Sequence, residues 1–479
     1  MNLGSKLFKG FAWSALDRIF IQGIQFVLGI VLARILSPKE YGTIGILLVF
    51  ITVSQVFIDS GFTKALIQKK KREEIDVSTV FCFNLVISLI CYIILYFFSP
   101  IISNFYEIES LTKLLRVLAL TLIFNAFFTV PITILTIDLN FKKITKINLI
   151  ATILAGLIAI LMALSDYGVW SLVYQFLIKS VLTATIIWAF VDWKPKFLFS
   201  ITSFKEMFKF GSNLLISSLL NTIVNNFSSL FIAKVLSTKD LGYYTRGTQF
   251  ADFIFNLINS VIERVLLPGL ATIQDNKNIL IDKTRKILKG TTLLIIPIFI
   301  FLSVVAEPLI KVLLTDKWSN AIPILQIFCI ARMITIISGI NVNVLYVLGK
   351  TNLALKQQYY KIVIRIVFLL IAIKYGIIYI AIAELLSTAF HFFINTYYPG
   401  KLMKYGALDQ IKDIIPIIVS GLLMGLFVFI PVYFIENHLI VLIITPIIAL
   451  TTYLTAIKLF KVKEFDMLYN QAKMFIKNK

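Results

Sequence analysis

Apolar runs long enough to cross a bilayer recur along the whole chain, separated by short polar turns. They fall at about 11–36, 42–62, 77–98, 112–137, 147–164, 169–191, 210–235, 243–266, 288–314, 321–345, 359–375, 377–396, 413–434 and 439–458. A helix rises 1.5 Å per residue and a hydrocarbon core is roughly 30 Å thick, so the pattern predicts an all-α integral membrane protein of about 14 transmembrane helices.

One of these stretches appears twice, displaced by 200 positions. Ala33-Arg34-Ile35-Leu36-Ser37-Pro38-Lys39-Glu40-Tyr41-Gly42 is matched by Ala233-Lys234-Val235-Leu236-Ser237-Thr238-Lys239-Asp240-Leu241-Gly242, with charge signs kept. The register also holds upstream, where Phe8-Lys9 matches Phe208-Lys209. Arg18, Gln22 and Gln25 share one helix face, and the equivalent positions are Ser218, Thr222 and Asn225, polar again. Two helices glued to their neighbours by polar residues would explain each copy alone. A shared register points instead to a transporter built of two related halves.

Six helices separate the copies, so both insert in the same direction and the repeat is parallel. The expected organisation is a six-helix lobe over 1–191, a linker over 192–209, a second pseudo-symmetric six-helix lobe over 210–396, and two extra helices with a basic tail over 397–479.

Composition agrees with the pattern, at 59% hydrophobic and 15% charged residues. The net charge of +21 would suggest nucleic acid in a soluble chain. Its location argues otherwise: the terminal segments and the loops on one side hold 31 Lys and Arg, while the opposite loops hold 5. That bias places both termini in the cytoplasm. The run Lys69-Lys70-Lys71-Arg72 then reads as a short loop facing anionic lipid, with membrane lipids and not nucleic acid as its partner. Cys82, Cys91 and Cys329 all sit inside apolar runs and offer neither a disulfide framework nor a metal-ligand spacing.

Ionisable groups inside spans are costly and mark candidate function. The span at 243–266 carries Gln249, Asp252, Asn256, Asn259 and Glu263 at intervals of 3 and 4, one continuous stripe. Its counterpart at 42–62 carries Thr52, Gln55 and Asp59. The simplest common target of these faces is a cavity between the lobes. Arg18, Arg246, Arg264, Arg332 and Arg365 add cations whose planar fork suits phosphate oxygens. Asp17 and Glu263 neighbour two of them, and pairing between helices is the plain reading for any single arginine. Glu384 and His391, with Asp17, are the candidates for coupling to a Na+ or H+ gradient. No phosphate-binding Gly-rich loop, Gly-x-Ser-x-Gly elbow or paired-histidine motif is present in the sequence, so a transporter without its own nucleotide hydrolysis, and without a cofactor or metal, is expected.

The early Trp13, the turn at 33–42 and its companion at 233–242, Phe57-Ile58-Asp59-Ser60-Gly61-Phe62, and Leu313-Leu314-Thr315-Asp316-Lys317-Trp318 leading into Pro323-Ile324-Leu325-Gln326 together resemble the polysaccharide-transporter branch of the MOP flippase superfamily. The resemblance implies a MATE/MOP-like fold in the bacterial inner membrane. It implies a flippase that carries polyprenyl-pyrophosphate-linked oligosaccharide from the cytoplasmic to the periplasmic leaflet by alternating access, for lipopolysaccharide or exopolysaccharide synthesis. Glycosyltransferases and a glycan polymerase of the same pathway would be its partners. Arg18, Gln22, Gln25, Asp59, Arg246, Asp252, Asn256, Glu263, Arg264, Arg332 and Arg365 are the residues that would line the substrate cavity. A cation-coupled multidrug antiporter would want an acidic cavity and usually twelve helices. A membrane-embedded glycan polymerase or ligase would want a large outer loop, and the longest here is Ser99–Ser110.

Overall fold

The computed structural model describes residues 20–59, 61–69, 71–462 and 464–466, with the side chains of residues 210, 213, 263–265, 267 and 268 outside the description. No strand occurs among the described residues. The helices are α1 (Phe20–Ile35), α2 (Pro38–Asp59), α3 (Phe62–Gln68), α4 (Glu74–Tyr106), α5 (Leu111–Ile137), α6 (Phe141–Leu164), α7 (Val169–Ile187), α8 (Ile201–Phe231), α9 (Thr238–Ala271), α10 (Lys277–Val304), α11 (Ala306–Leu314), α12 (Ile322–Val347), α13 (Thr351–Ala372), α14 (Ile377–Met403), α15 (Ala407–Phe434) and α16 (His438–Leu459).

Each of the fourteen expected spans lies mainly on helix over its described residues. Eleven stretches among those residues are long and apolar enough to cross a membrane, and α1 is a shorter apolar helix. The two expected spans outside that set lie in α9 and α13, which carry the charged groups discussed below. Several boundaries differ from expectation. The span at 42–62 is interrupted at Gly61 and resumes as α3; the span at 169–191 leaves its helix after Ile187; the span at 288–314 breaks at Val305; and α4 continues through Pro100 to Tyr106. The loop expected at 99–110 therefore shrinks to four residues, 107–110.

Compactness divides the chain into two units, Met1–Gly242 and Tyr243–Lys479. In the first, α5 packs on α4, α7 and α2, α6 packs on α7, and α8 lies along α2 and α3. In the second, α14 lies against α12 and α13, α10 against α12, and the terminal pair α15 and α16 docks on α10 and α11. Gly421 and Gly425 of α15 admit Ile296, Ile300 and Val304 of α10, and Tyr453 of α16 donates to the Leu293 carbonyl at 2.9 Å. Small residues at such contacts let helix backbones approach where the surrounding lipid is as apolar as the helices themselves.

Both copies of the repeated turn start a helix in the same way. Ser37 Oγ accepts from the Glu40 amide at 3.4 Å while Glu40 accepts from the Ser37 amide at 2.6 Å. Ser237 Oγ likewise accepts from the Asp240 amide at 3.0 Å and donates to Asp240 Oδ2 at 2.6 Å. This Ser-x-x-acid capping arrangement satisfies amides that a helix start leaves open. The turns also press against each other. An added methyl at Gly42 would run into the Thr238 carbonyl, and one at Gly242 into the Pro38 carbonyl. Positions 38/238 and 42/242 keep the repeat offset, so this is one contact met from each copy.

The first unit's loops are tied by ion pairs. Lys69 bonds both Asp76 at 3.0 Å and Glu206 at 2.9 Å. At the end of α4, Lys234 bonds Glu107 at 2.8 Å and lies over the Phe105 ring. That hydrogen bond, then the lysine charge, hold the Glu107 carboxyl below its ordinary 4.5.

Gly42→Ala or Gly242→Ala is expected to lower stability by about 1–3 kcal/mol, the usual cost of overpacking a rigid contact, read as an earlier thermal unfolding midpoint of the purified protein in detergent. Because the folded value for Glu107 is depressed, its contribution is complete above pH 4.5 and is lost as the pH falls through the folded value. Glu107→Gln should therefore flatten the acid side of the midpoint-against-pH curve and leave its neutral part nearly unchanged in shape.

Candidate functional site

The first unit contains a cavity of about 650 Å³ framed by α2, α3, α5 and α8. Asp59 and Gln55, one turn apart on α2, face it together with Lys64 of α3, Asn125, Thr129 and Thr133 of α5, and Ser218 of α8. Gly61, between α2 and α3, also lines this space: it has φ +74°, and a methyl there would stand 2.7 Å from the Gly211 Cα of α8. Inside, Asn125 Nδ2 donates to Gln55 Oε1 at 2.9 Å and Gln55 Nε2 donates to Asp59 Oδ1 at 3.2 Å. Thr129 and Thr133 donate to the carbonyls one turn back, at 2.7 Å and 2.8 Å.

The second unit holds a cluster of paired charges. Arg332 of α12 pairs through Nε with Asp252 Oδ1 of α9, and its guanidinium lies 5.1 Å and 5.5 Å from the Phe328 and Phe255 ring centres. Arg365 of α13 forms an ion pair with Glu384 of α14 at 3.0 Å. Tyr244, buried edge-on against Phe328, lies within electrostatic range of all four groups. His391 sits on α14 with Nε2 3.1 Å from the Lys361 carbonyl, an oxygen that can only accept, so this nitrogen carries its hydrogen. Partnering of this kind is what burial of charge in a low-dielectric interior demands.

Of the residues singled out in the sequence, Asp252, Arg332, Arg365 and Glu384 are brought into one cluster with His391 at its edge. Asp59 lines the first unit's cavity. Arg246 donates to Gln249, one turn along the same helix, and Asn256 is exposed on α9. Gln22 is half-buried and Gln25 exposed on α1. Asp17, Arg18 and the side chains of Glu263 and Arg264 lie outside the described residues. No group of three or more His, Cys, Asp or Glu among the described residues is placed to hold a metal ion.

The chain matches the family described as "Polysaccharide biosynthesis protein" over residues 31–323. It belongs to that family. Its relatives include the teichuronic acid biosynthesis protein TuaB of Bacillus subtilis, 26% identical over 74% of both chains. The lipopolysaccharide biosynthesis protein WzxC of Escherichia coli is 25% identical over 75% of this chain and 74% of its own. Among solved structures, the lipid II flippase MurJ in an inward closed conformation superposes with a TM-score of 0.77 at 19% identity, covering 94% of this chain and 98% of that one. An inward-facing multidrug resistance MATE transporter of the MOP superfamily gives 0.61 at 16% identity, over 82% and 100%. At these identities the structural likeness establishes the fold.

Asn125, Thr129 and Thr133 escaped the search for charged stripes in this family member, although their spacing of four is visible in the sequence. Arg116, by contrast, is a clamp between α4 and α5: it bonds Ser99 Oγ at 3.0 Å and lies over the Tyr96 ring at 4.0 Å.

A double-mutant cycle tests the α9–α12 pair. Asp252→Ala and Arg332→Ala should each lower the thermal midpoint, and the double variant should lose less than their sum, with a coupling of about 0.5–3 kcal/mol. Additive losses would show that the two groups act independently.

Proposed function

We propose that the protein is a flippase that moves polyprenyl-pyrophosphate-linked oligosaccharide from the cytoplasmic to the periplasmic leaflet of a bacterial inner membrane, for surface polysaccharide synthesis. Family membership and the relatives' roles in teichuronic acid and lipopolysaccharide synthesis support this reading, as does a fold shared with a lipid II flippase. The charge bias of the loops supports cytoplasmic termini. Two lobes, 1–191 and 210–396, alternate in access around the linker 192–209, while the two helices and tail of 397–479 stand outside the repeat.

The observation that carries the proposal is the paired quartet Asp252, Arg332, Arg365 and Glu384 in the interior of a membrane protein. Each arginine is already matched by a carboxylate. A pyrophosphate entering there competes with Asp252 and Glu384 for the same guanidinium hydrogens, and a carboxylate released from its arginine becomes able to take a proton or a sodium ion. Substrate binding and ion coupling are then one exchange reaction. Arg332 is the better placed of the two, since its pair is half-buried and its guanidinium lies over two aromatic rings. A lysine ammonium holds a phosphate as a point charge, whereas this fork adds direction.

The test is transbilayer movement of a fluorescent lipid-linked oligosaccharide by the purified protein in liposomes, with and without a sodium or proton gradient. Movement above that of protein-free vesicles is expected, with Arg332→Ala slowing it at least roughly tenfold while the protein stays inserted, the effect of losing about 1.4 kcal/mol. Equal rates in loaded and protein-free vesicles would overturn the proposal.

A further inference from the structure

We infer that the cavity of the first unit is a saccharide subsite that receives the sugar hydroxyls of the cargo and rejects its pyrophosphate. This rests on the flippase reading and assigns it a second contact point.

The donor and acceptor inventory of the cavity carries the inference. Thr129 and Thr133 have spent their hydroxyl hydrogens on the carbonyls of Asn125 and Thr129, so each offers the cavity only an accepting oxygen. Asp59, as a carboxylate, also only accepts, and one of its oxygens is already bonded by Gln55. Gln55 and Asn125 have each committed one N–H along the chain from Asn125 to Gln55 to Asp59, and keep one apiece. Lys64 is the cation among the described lining residues, set against the charge of Asp59, and Ser218 adds a hydroxyl that both donates and accepts. The lining therefore mixes donors with acceptors and is close to neutral.

A pyrophosphate presents oxygens that only accept and a negative charge that Asp59 repels, so it would leave the threonine and carboxylate acceptors unmet. A sugar hydroxyl donates one hydrogen and accepts through two lone pairs, matching threonine oxygens and the carboxylate on one side and the spare amide hydrogens on the other. The linked order Asn125, Gln55, Asp59 fixes the amide orientations, so these groups are set before the ligand arrives. At about 650 Å³ the space is in the range of small-ligand sites and fits a short run of sugar rings rather than a polyprenyl chain.

The test compares two probes on the purified full-length protein in detergent: lipid-linked oligosaccharide extracted from the cells that make it, and undecaprenyl pyrophosphate without sugar. Asn125→Leu removes the head of the amide chain, and Thr129→Val, nearly isosteric, removes one acceptor. Each should weaken binding of the glycosylated lipid roughly three- to tenfold, the range for one neutral hydrogen bond, and leave binding of the sugar-free lipid unchanged. Equal weakening of both lipids would place the phosphates in this cavity and overturn the inference, and so would unchanged binding of both. Wild-type protein that binds neither lipid would overturn the flippase reading itself.

Discussion

A charge in hydrocarbon must be matched within the protein, because no water is there to do it. That constraint shapes the interior of the second unit. Asp252, Arg332, Arg365 and Glu384 come from four different helices, α9, α12, α13 and α14, and their pairing gives those helices a reason to lie together beyond apolar contact. Phe255 and Phe328 lie beneath the guanidinium of Arg332, and Tyr244 packs edge-on against Phe328. Removing one member leaves its partner buried and unmatched, a larger cost than the pair is worth as a whole.

Most of the architecture could be read from the chain because hydrocarbon imposes a simple rule: each crossing needs a long apolar helix. The fourteen apolar runs all lie mainly on helices, and the displacement of 200 that links Ser37 to Ser237 and Gly42 to Gly242 in sequence reappears as matched caps and a reciprocal close contact. Boundaries were harder, for local reasons. Gly61 takes a left-handed conformation that apolar periodicity does not report, and the helix ends there. Pro100 in turn stays within α4, since a membrane helix tolerates a proline where neighbours take up the freed carbonyl. Packing also draws a different line from ancestry: α8 begins the second copy by register, yet it lies along α2 and α3 and is compact with the first unit.

The site was legible in its charges and obscure in its partners. Spacing showed that Asp252 lies on a polar face of α9, but nothing in the sequence joined it to Arg332, 80 residues away. The pairing changes the chemistry expected of that arginine, from an open anion receptor to one side of an exchange. In the first unit the eye was drawn to Asp59, whereas the neutral groups of α5 supply much of the surrounding surface. The two copies have diverged in kind: Thr52 turns its hydroxyl to its own helix backbone, while Asp252 at the matching position reaches across to another helix.

The quartet of the second unit, two cations and two anions, has an electrical consequence. Such a cluster carries no net formal charge, so the membrane potential does almost no work on it when it changes depth without cargo. One uncompensated charge moved across 100 mV would cost about 2.3 kcal/mol. On the flippase reading proposed above, the return of the empty protein would be indifferent to voltage at this locus, and any electrical driving force would fall on the step that carries an anionic cargo.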